Sequence, residues 1–263
     1  MDLGLAGKVA VITGGSEGIG KASAISMIRE GASVVICART QETLDSAAEE
    51  INTYGPGEVY PITGDVTDPE HIERIVAETI NKLGRLDILV NNAGTAAASN
   101  FETVDDDVWQ RDMDLKLFAA IRFSRLSIPH MKKVGGGRII NITIIEGKQP
   151  PSDSVPTSVT RAAGIAFTKA LSNDVAKYDI LVNTVCIGLV KSRQHERQFL
   201  QIQAKDPDVT LNNFYKEMSL EVPLKRVGES YEAGDVICFL ASSRASYLTG
   251  TSINIDGGMS GVV

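Results

Sequence analysis

Short runs of β-branched and aliphatic residues alternate along the chain with longer stretches whose apolar positions recur at helical spacing. The strand-like runs are Val9–Thr13, Ser33–Cys37, Val59–Ile62, Leu86–Asn91, Arg138–Thr143, Leu181–Ile187 and Ser252–Ile255. Between them the pattern predicts helices over Gly18–Glu30, Thr43–Tyr54, Pro69–Leu83, Asp105–Val134, Ser158–Lys177 and Ser230–Ala241. Near-continuous Val/Ile/Leu strands separated by helices imply a parallel sheet covered on both faces, because each parallel step needs a crossover. Seven such strands predict a single doubly wound α/β domain over residues 1–263, with ligands outside the carboxyl ends of the strands.

Two stretches break the rhythm. Gly147–Pro156 holds prolines at 150, 151 and 156, which rules out helix or central strand. The segment from Gly188 to about Val227 is polar and charge-rich, and its 189–227 part is predicted to form a substrate loop or cap. Asp105-Asp106-Asp107 reads as a helix N-terminus, where carboxylates cap N–H groups and match the dipole.

Composition narrows the class. A content of 43% hydrophobic and 22% charged residues is that of a globular protein, and the net charge of −7 argues against nucleic acid or anionic membrane as partner. No basic-then-apolar leader is evident at Met1–Lys8, and no apolar run approaches the ~18–20 residues that span a bilayer, so a cytoplasmic location is expected. Cys37, Cys186 and Cys238 lie far apart in apolar runs and read as buried free thiols. His71, His130 and His195 share no ligand spacing, so no metal site is expected.

Candidate chemistry begins at Thr13-Gly14-Gly15-Ser16-Glu17-Gly18-Ile19-Gly20, between the first strand and first helix. There a Gly-rich turn lets backbone N–H groups and a helix N-terminus approach a pyrophosphate, as in a Rossmann-like fold. The second strand ends at Cys37-Ala38-Arg39 without the acidic residue that usually holds a ribose 2′-hydroxyl. The planar fork of Arg39 suits a 2′-phosphate and favours NADP(H) over NAD(H). Glu17 opposes a second phosphate contact, and a solvated loop charge is the alternative reading of Arg39.

With Asp65-Val66 after the third strand, Asn91-Asn92-Ala93-Gly94 ending the fourth and Thr249-Gly250…Asp256-Gly257-Gly258 near the end, the chain resembles the short-chain dehydrogenase/reductases over essentially its whole length. The resemblance implies a cytoplasmic dinucleotide-binding domain, usually a homotetramer built through two long helices. It implies cofactor contacts at Gly14, Ser16, Gly18, Ile19, Gly20, Arg39, Asp65, Val66, Asn92, Ala93, Gly94, Arg161, Gly188 and Ser192.

The family's Asn-Ser-Tyr-Lys tetrad is absent. Matching its segments puts Asp114 at the Asn position, Ile144 at Ser, Thr157 at Tyr and Arg161 at Lys. A tyrosine phenol starts near pKa 10 and can be tuned toward neutrality; an aliphatic hydroxyl is a far weaker acid. Arg161 can hold a ribose or carboxylate but is too basic to shuttle protons. Ordinary Tyr-dependent carbonyl reduction is therefore not expected, and an Asp114–Arg161 ion pair or water-bridged contact is predicted to fill the vacated relay. Three functions remain open: an oxidoreductase with atypical chemistry on a small carbonyl or hydroxyl compound, a non-catalytic subunit paired with an active paralogue, and a dinucleotide-responsive regulator.

Overall fold

The computed structural model describes residues 1–263. In chain order the elements are β1 (Val9–Thr13), α1 (Gly18–Arg29), β2 (Ser33–Ala38), α2 (Gln41–Asn52), β3 (Val59–Thr63), α3 (Pro69–Leu83) and β4 (Ile88–Asn91). Then follow α4 (Asp106–Met113), a π-helical turn (Asp114–Phe118), α5 (Ala119–Lys133), β5 (Gly137–Ile144), α6 (Thr157–Val175) and β6 (Ile180–Ile187). The chain closes with α7 (Arg193–Gln203), α8 (Leu211–Met218), α9 (Ser230–Ala241) and β7 (Ser252–Ile255). All seven strands pair in parallel, in the order β3-β2-β1-β4-β5-β6-β7.

Strand alternation sends successive side chains into two separate cores. Ala10 and Ile12 of β1, with Val34 and Ile36 of β2, pack against α1, α2 and α9. Val11, Val35 and Cys37 point the other way, to α3 and α5. With both faces covered, polar strand residues are buried and paired: Asn141 joins Asn91 and Thr168, and Thr184 donates to Thr168. Pro61 is accommodated because β3 is an edge strand and needs only one ladder. Local signals set the helix ends: Asp68 accepts the Glu70 N–H ahead of α3, Gly84 closes α3 in the left-handed conformation, and Asp105 accepts the Val108 N–H to start α4.

The predicted strands hold within two residues at each end. Two helical expectations need correction. The stretch predicted as one helix over Asp105–Val134 is interrupted by the π turn at Asp114–Phe118. The cap, read only as a polar segment, carries α7 and α8, which pack through Phe199 and Phe214 with ring centroids 5.9 Å apart. One buried aromatic per helix was too thin an apolar stripe to stand out.

From β1 the chain steps outward through β2 to β3, then returns to the other side of β1 with β4. Loops leaving β1 and β4 therefore diverge, opening a crevice at their carboxyl ends.

Candidate cofactor cleft and active site

The glycine loop is held by backbone and by Asn92. Gly14 and Gly18 take positive φ values of 64° and 54°. Gly14 N–H and Gly15 N–H both donate to the Cys37 carbonyl, at 2.9 and 3.3 Å. Asn92 Nδ2 donates to the Thr13 and Gly14 carbonyls at 2.9 and 3.0 Å, while Thr13 Oγ1 accepts the N–H groups of Asn92 and Ala93. Asn92 therefore acts by clamping the loop to the end of β4, its amide N–H groups already engaged. A Cβ at Gly20 would lie 2.2 Å from the Gly14 carbonyl oxygen, and one at Gly15 would lie 2.6 Å from Ile36. No side chain caps the N-terminus of α1, so its N–H groups are left for a ligand. Glu17, in the same loop, lies 3.8 Å from Arg193 at the start of α7, so its charge is turned toward a cation of the cap.

At the end of β2, Arg39 borders a cavity of about 260 Å³ together with Thr63, Gly64, Asp65, His71 and Arg74. The sequence reading found Arg39 and Asp65 but missed His71 and Arg74, which the first turns of α3 bring alongside. Partial burial would raise the Asp65 pKa, but the Thr67 N–H and hydroxyl and the charge of Arg39 together hold it below the usual carboxylate range. Val66 is buried behind it.

At the other end of the crevice, Arg161 of α6 lies against Gly94, where a Cβ would sit 2.6 Å from its Nη2. Its Nη1 donates to the Ile142 carbonyl at 2.7 Å, and its Nε is buried without a partner. Burial lowers the guanidinium pKa to about 10, opposed by Asp112 and Glu146; the group remains charged at neutral pH. Ile144 ends β5, and Thr143, one step earlier, is turned away to contact Cys186 at 3.2 Å. Gly188 approaches β7 so closely that a Cβ would meet Asp256 at 2.6 Å. Ser192 caps α7, its hydroxyl accepting the His195 N–H.

The predicted Asp114–Arg161 pair does not form. Asp114 accepts from Gln110 at 2.9 Å and pairs with Arg122 at 3.6 Å along its own helical run, and no carboxylate lies within 4.0 Å of Arg161. The site is completed instead by Lys116, two residues further on. Its Nζ, with a side chain 1% exposed, pairs with Asp112 and donates to Thr157 Oγ1 at 2.9 Å. Asp112 also accepts from Thr160 at 2.6 Å. Ala97 N–H is the second donor to Thr157, at 3.0 Å. Burial, and then the charge of Arg161, lower the Lys116 pKa to about 8, with Asp112 opposing. An Asp-xxx-Lys step on a helix reads in sequence as a surface ion pair. Only the packing of α6 over the π turn buries it.

The uncapped helix, the absence of room at Gly15 and Gly20, and the orphaned Arg161 Nε together fit a dinucleotide laid across the carboxyl ends of β1, β2, β4 and β5. A parallel doubly wound sheet with such a cleft defines a dinucleotide-binding α/β protein. Sequence comparison takes this further: the family described as short chain dehydrogenase matches residues 8–202. The chain belongs to the short-chain dehydrogenase/reductase family, a family of NAD(P)-binding oxidoreductases. It is 32% identical over 255 residues to a 3-oxoacyl-acyl-carrier-protein reductase from Thermotoga maritima, covering 97% of this chain and 98% of that one. Its structure is similar to L-sorbose reductase from Gluconobacter frateurii complexed with NADPH and L-sorbose, at TM-score 0.96 and 35% identity, covering 100% of both chains. A short-chain oxidoreductase from Pseudomonas aeruginosa PAO1, described as containing an atypical catalytic center, is similar at TM-score 0.92 and 31% identity, covering 99% of this chain and 100% of that one.

Proposed function

We propose that the protein binds NADP(H) and exchanges a hydride with a small carbonyl or hydroxyl compound without using a tyrosine. The observation that carries this reading is a complete dinucleotide cradle with a cationic cavity at its adenosine end. Arg39 and Arg74 line that cavity with no acidic residue but Asp65, whose carboxylate is taken up by Thr67. Arg74 is held by Glu78 at 3.0 Å and by the Thr63 carbonyl, so Arg39 is the guanidinium left to recognise a 2′-phosphate by charge-assisted hydrogen bonds. Solved relatives that hold NADPH, the L-sorbose reductase among them, support the same choice.

Within the cleft each residue has a separable task. The α1 N-terminus and Gly14–Gly20 would hold the pyrophosphate, Arg161 the nicotinamide ribose, and Ser192 with Gly188 the wall beside the nicotinamide. The bound dinucleotide supplies or accepts a hydride. Ile144 contributes no hydrogen bond to a carbonyl oxygen, and the hydroxyl held at the family's tyrosine position is that of Thr157.

Titration with NADPH and NADH, followed by nicotinamide fluorescence, tests the reading. NADPH is expected to bind at least 10-fold tighter, and Arg39→Ala to remove most of that preference. Equal, millimolar binding of both would overturn it. Oxidation of NADPH with L-sorbose and other small ketones then tests turnover.

The substitution of all four tetrad positions favours a second reading, a non-catalytic subunit of a hetero-oligomer. In that case the purified chain turns over nothing, and activity appears only on co-expression with a tyrosine-bearing relative.

A further inference from the structure

We propose that Lys116, acting through the Thr157 hydroxyl, is the proton reservoir of this site, replacing the tyrosine route with a lysine–threonine relay. The inference rests on the oxidoreductase reading above and deepens it.

Geometry supplies the path. Thr157 Oγ1 accepts two hydrogen bonds, from Lys116 Nζ at 2.9 Å and Ala97 N–H at 3.0 Å. Both donors occupy the oxygen's lone pairs, and no hydrogen bond of the site uses the hydroxyl's own hydrogen. That hydrogen is free for an acceptor in the cleft. The ammonium itself is sealed from solvent between two partners: Asp112, which with its other partner Thr160 is also buried, and Thr157, which gives the relay its way out.

The electrostatics suit the task. The charged groups facing Lys116 are Asp112 from α4, which holds its proton on, and Arg161 from α6, which pushes it off; Glu146 faces Arg161 in turn. A lysine of pKa about 8 exchanges its proton near neutrality, which an ordinary lysine does not. A threonine alone is too weak an acid to give up a proton and hold the charge. It works only as a conduit, losing one proton as it gains another.

In the reducing direction a carbonyl lies beside Thr157. The carbonyl carbon would receive the hydride that a bound reduced dinucleotide would supply, and the C=O π pair would move to oxygen. That oxygen takes the Thr157 proton while Thr157 Oγ1 takes one from the Lys116 ammonium. The products are an alcohol, an oxidised nicotinamide and a neutral Lys116 amine, which recovers a proton from cleft water along the same path. Oxidation of an alcohol runs each transfer in reverse.

The test has an arm that needs no turnover. With lysines ¹³C-labelled, the Lys116 side-chain resonance, identified by its loss in Lys116→Met, should titrate near pH 8. Asp112→Asn should shift that titration down by about one to three units. In the second arm, NADPH oxidation with L-sorbose, dihydroxyacetone and 2-butanone is followed against pH. The reductive rate should be flat below about pH 8 and fall above it, since the protonated amine is the donor. Thr157→Val and Lys116→Met should slow turnover by about 100-fold or more while changing NADPH affinity less than about threefold, and Thr157→Ser should retain activity. An active enzyme whose Lys116 titrates above pH 10, or whose Lys116→Met variant keeps the alkaline limb, overturns the relay alone. Tight NADPH binding with no turnover of any probe overturns both the relay and the oxidoreductase reading.

Discussion

Replacing Lys116 with methionine should cost more stability than any other single change around the cleft. Asp112 and Lys116 are 2% and 1% exposed in their side chains, so neither charge has solvent to fall back on. In Lys116→Met the Asp112 carboxylate keeps a single donor, the Thr160 hydroxyl. Breaking a buried pair by removing one partner costs about 3–5 kcal/mol, because the remaining charge stays desolvated. For a chain of this length each kcal/mol shifts the melting temperature by about 2–4 °C, so a fall of roughly 6–20 °C is expected. Removing the stranded carboxylate as well should restore most of the loss: Asp112→Leu/Lys116→Met should melt near the wild type, since apolar residues of similar volume often replace a buried ion pair at no cost. Thermal melts of the wild type, both single variants and the double variant at pH 7 complete the cycle. A fall of under about 2 °C in Lys116→Met, with no recovery in the double variant, would refute the reasoning.

Gly20→Ala should weaken NADPH binding by at least about 10-fold in the fluorescence titration, because its Cβ would force back the Gly14 carbonyl from 2.2 Å. Asp87 should make a large contribution to acid stability. Burial would raise its pKa, but Arg85, the Val9 N–H and Lys8 hold it below the usual range. Its stabilisation is therefore present above about pH 4 and lost as pH falls through the folded value, so Asp87→Asn should flatten the acid limb of a stability–pH curve. Cys37 and Cys238, both pushed by burial to about 12, should not react with a disulfide reagent at pH 8 in the native protein. All three thiols should appear on denaturation, there being no disulfide.

The fold was largely legible because two-sided burial leaves a plain mark: runs dominated by β-branched and aliphatic residues at β1, β2, β5 and β6, each followed by a helix. The adenosine half of the cleft was legible at Arg39 and Asp65, where single residues lie at strand ends. His71 and Arg74 were not, because their helix reaches the site through tertiary packing. The nicotinamide half was half-read. Ile144 ends β5, and Thr157 and Arg161 lie in the first turns of α6, the element positions their motifs imply. Asp114 is engaged by Gln110 and Arg122 along its own helical run, and no periodicity announces the π turn that begins there. Lys116 was hidden by its type: a lysine four residues from an aspartate looks like surface decoration until another helix covers it.

The π turn at Asp114–Phe118 holds one more residue than an α-helical turn would, so the side chains of α5 are out of phase with those of α4 by about 100°. The inward aim of Lys116 is a matter of that phase rather than of its identity alone. Deleting one residue between 114 and 118 would heal the helix and rotate everything on one side of the cut. A substitution here acts through the side chain it changes and leaves the phase untouched, while a single-codon deletion would switch the cleft's inner face in one step.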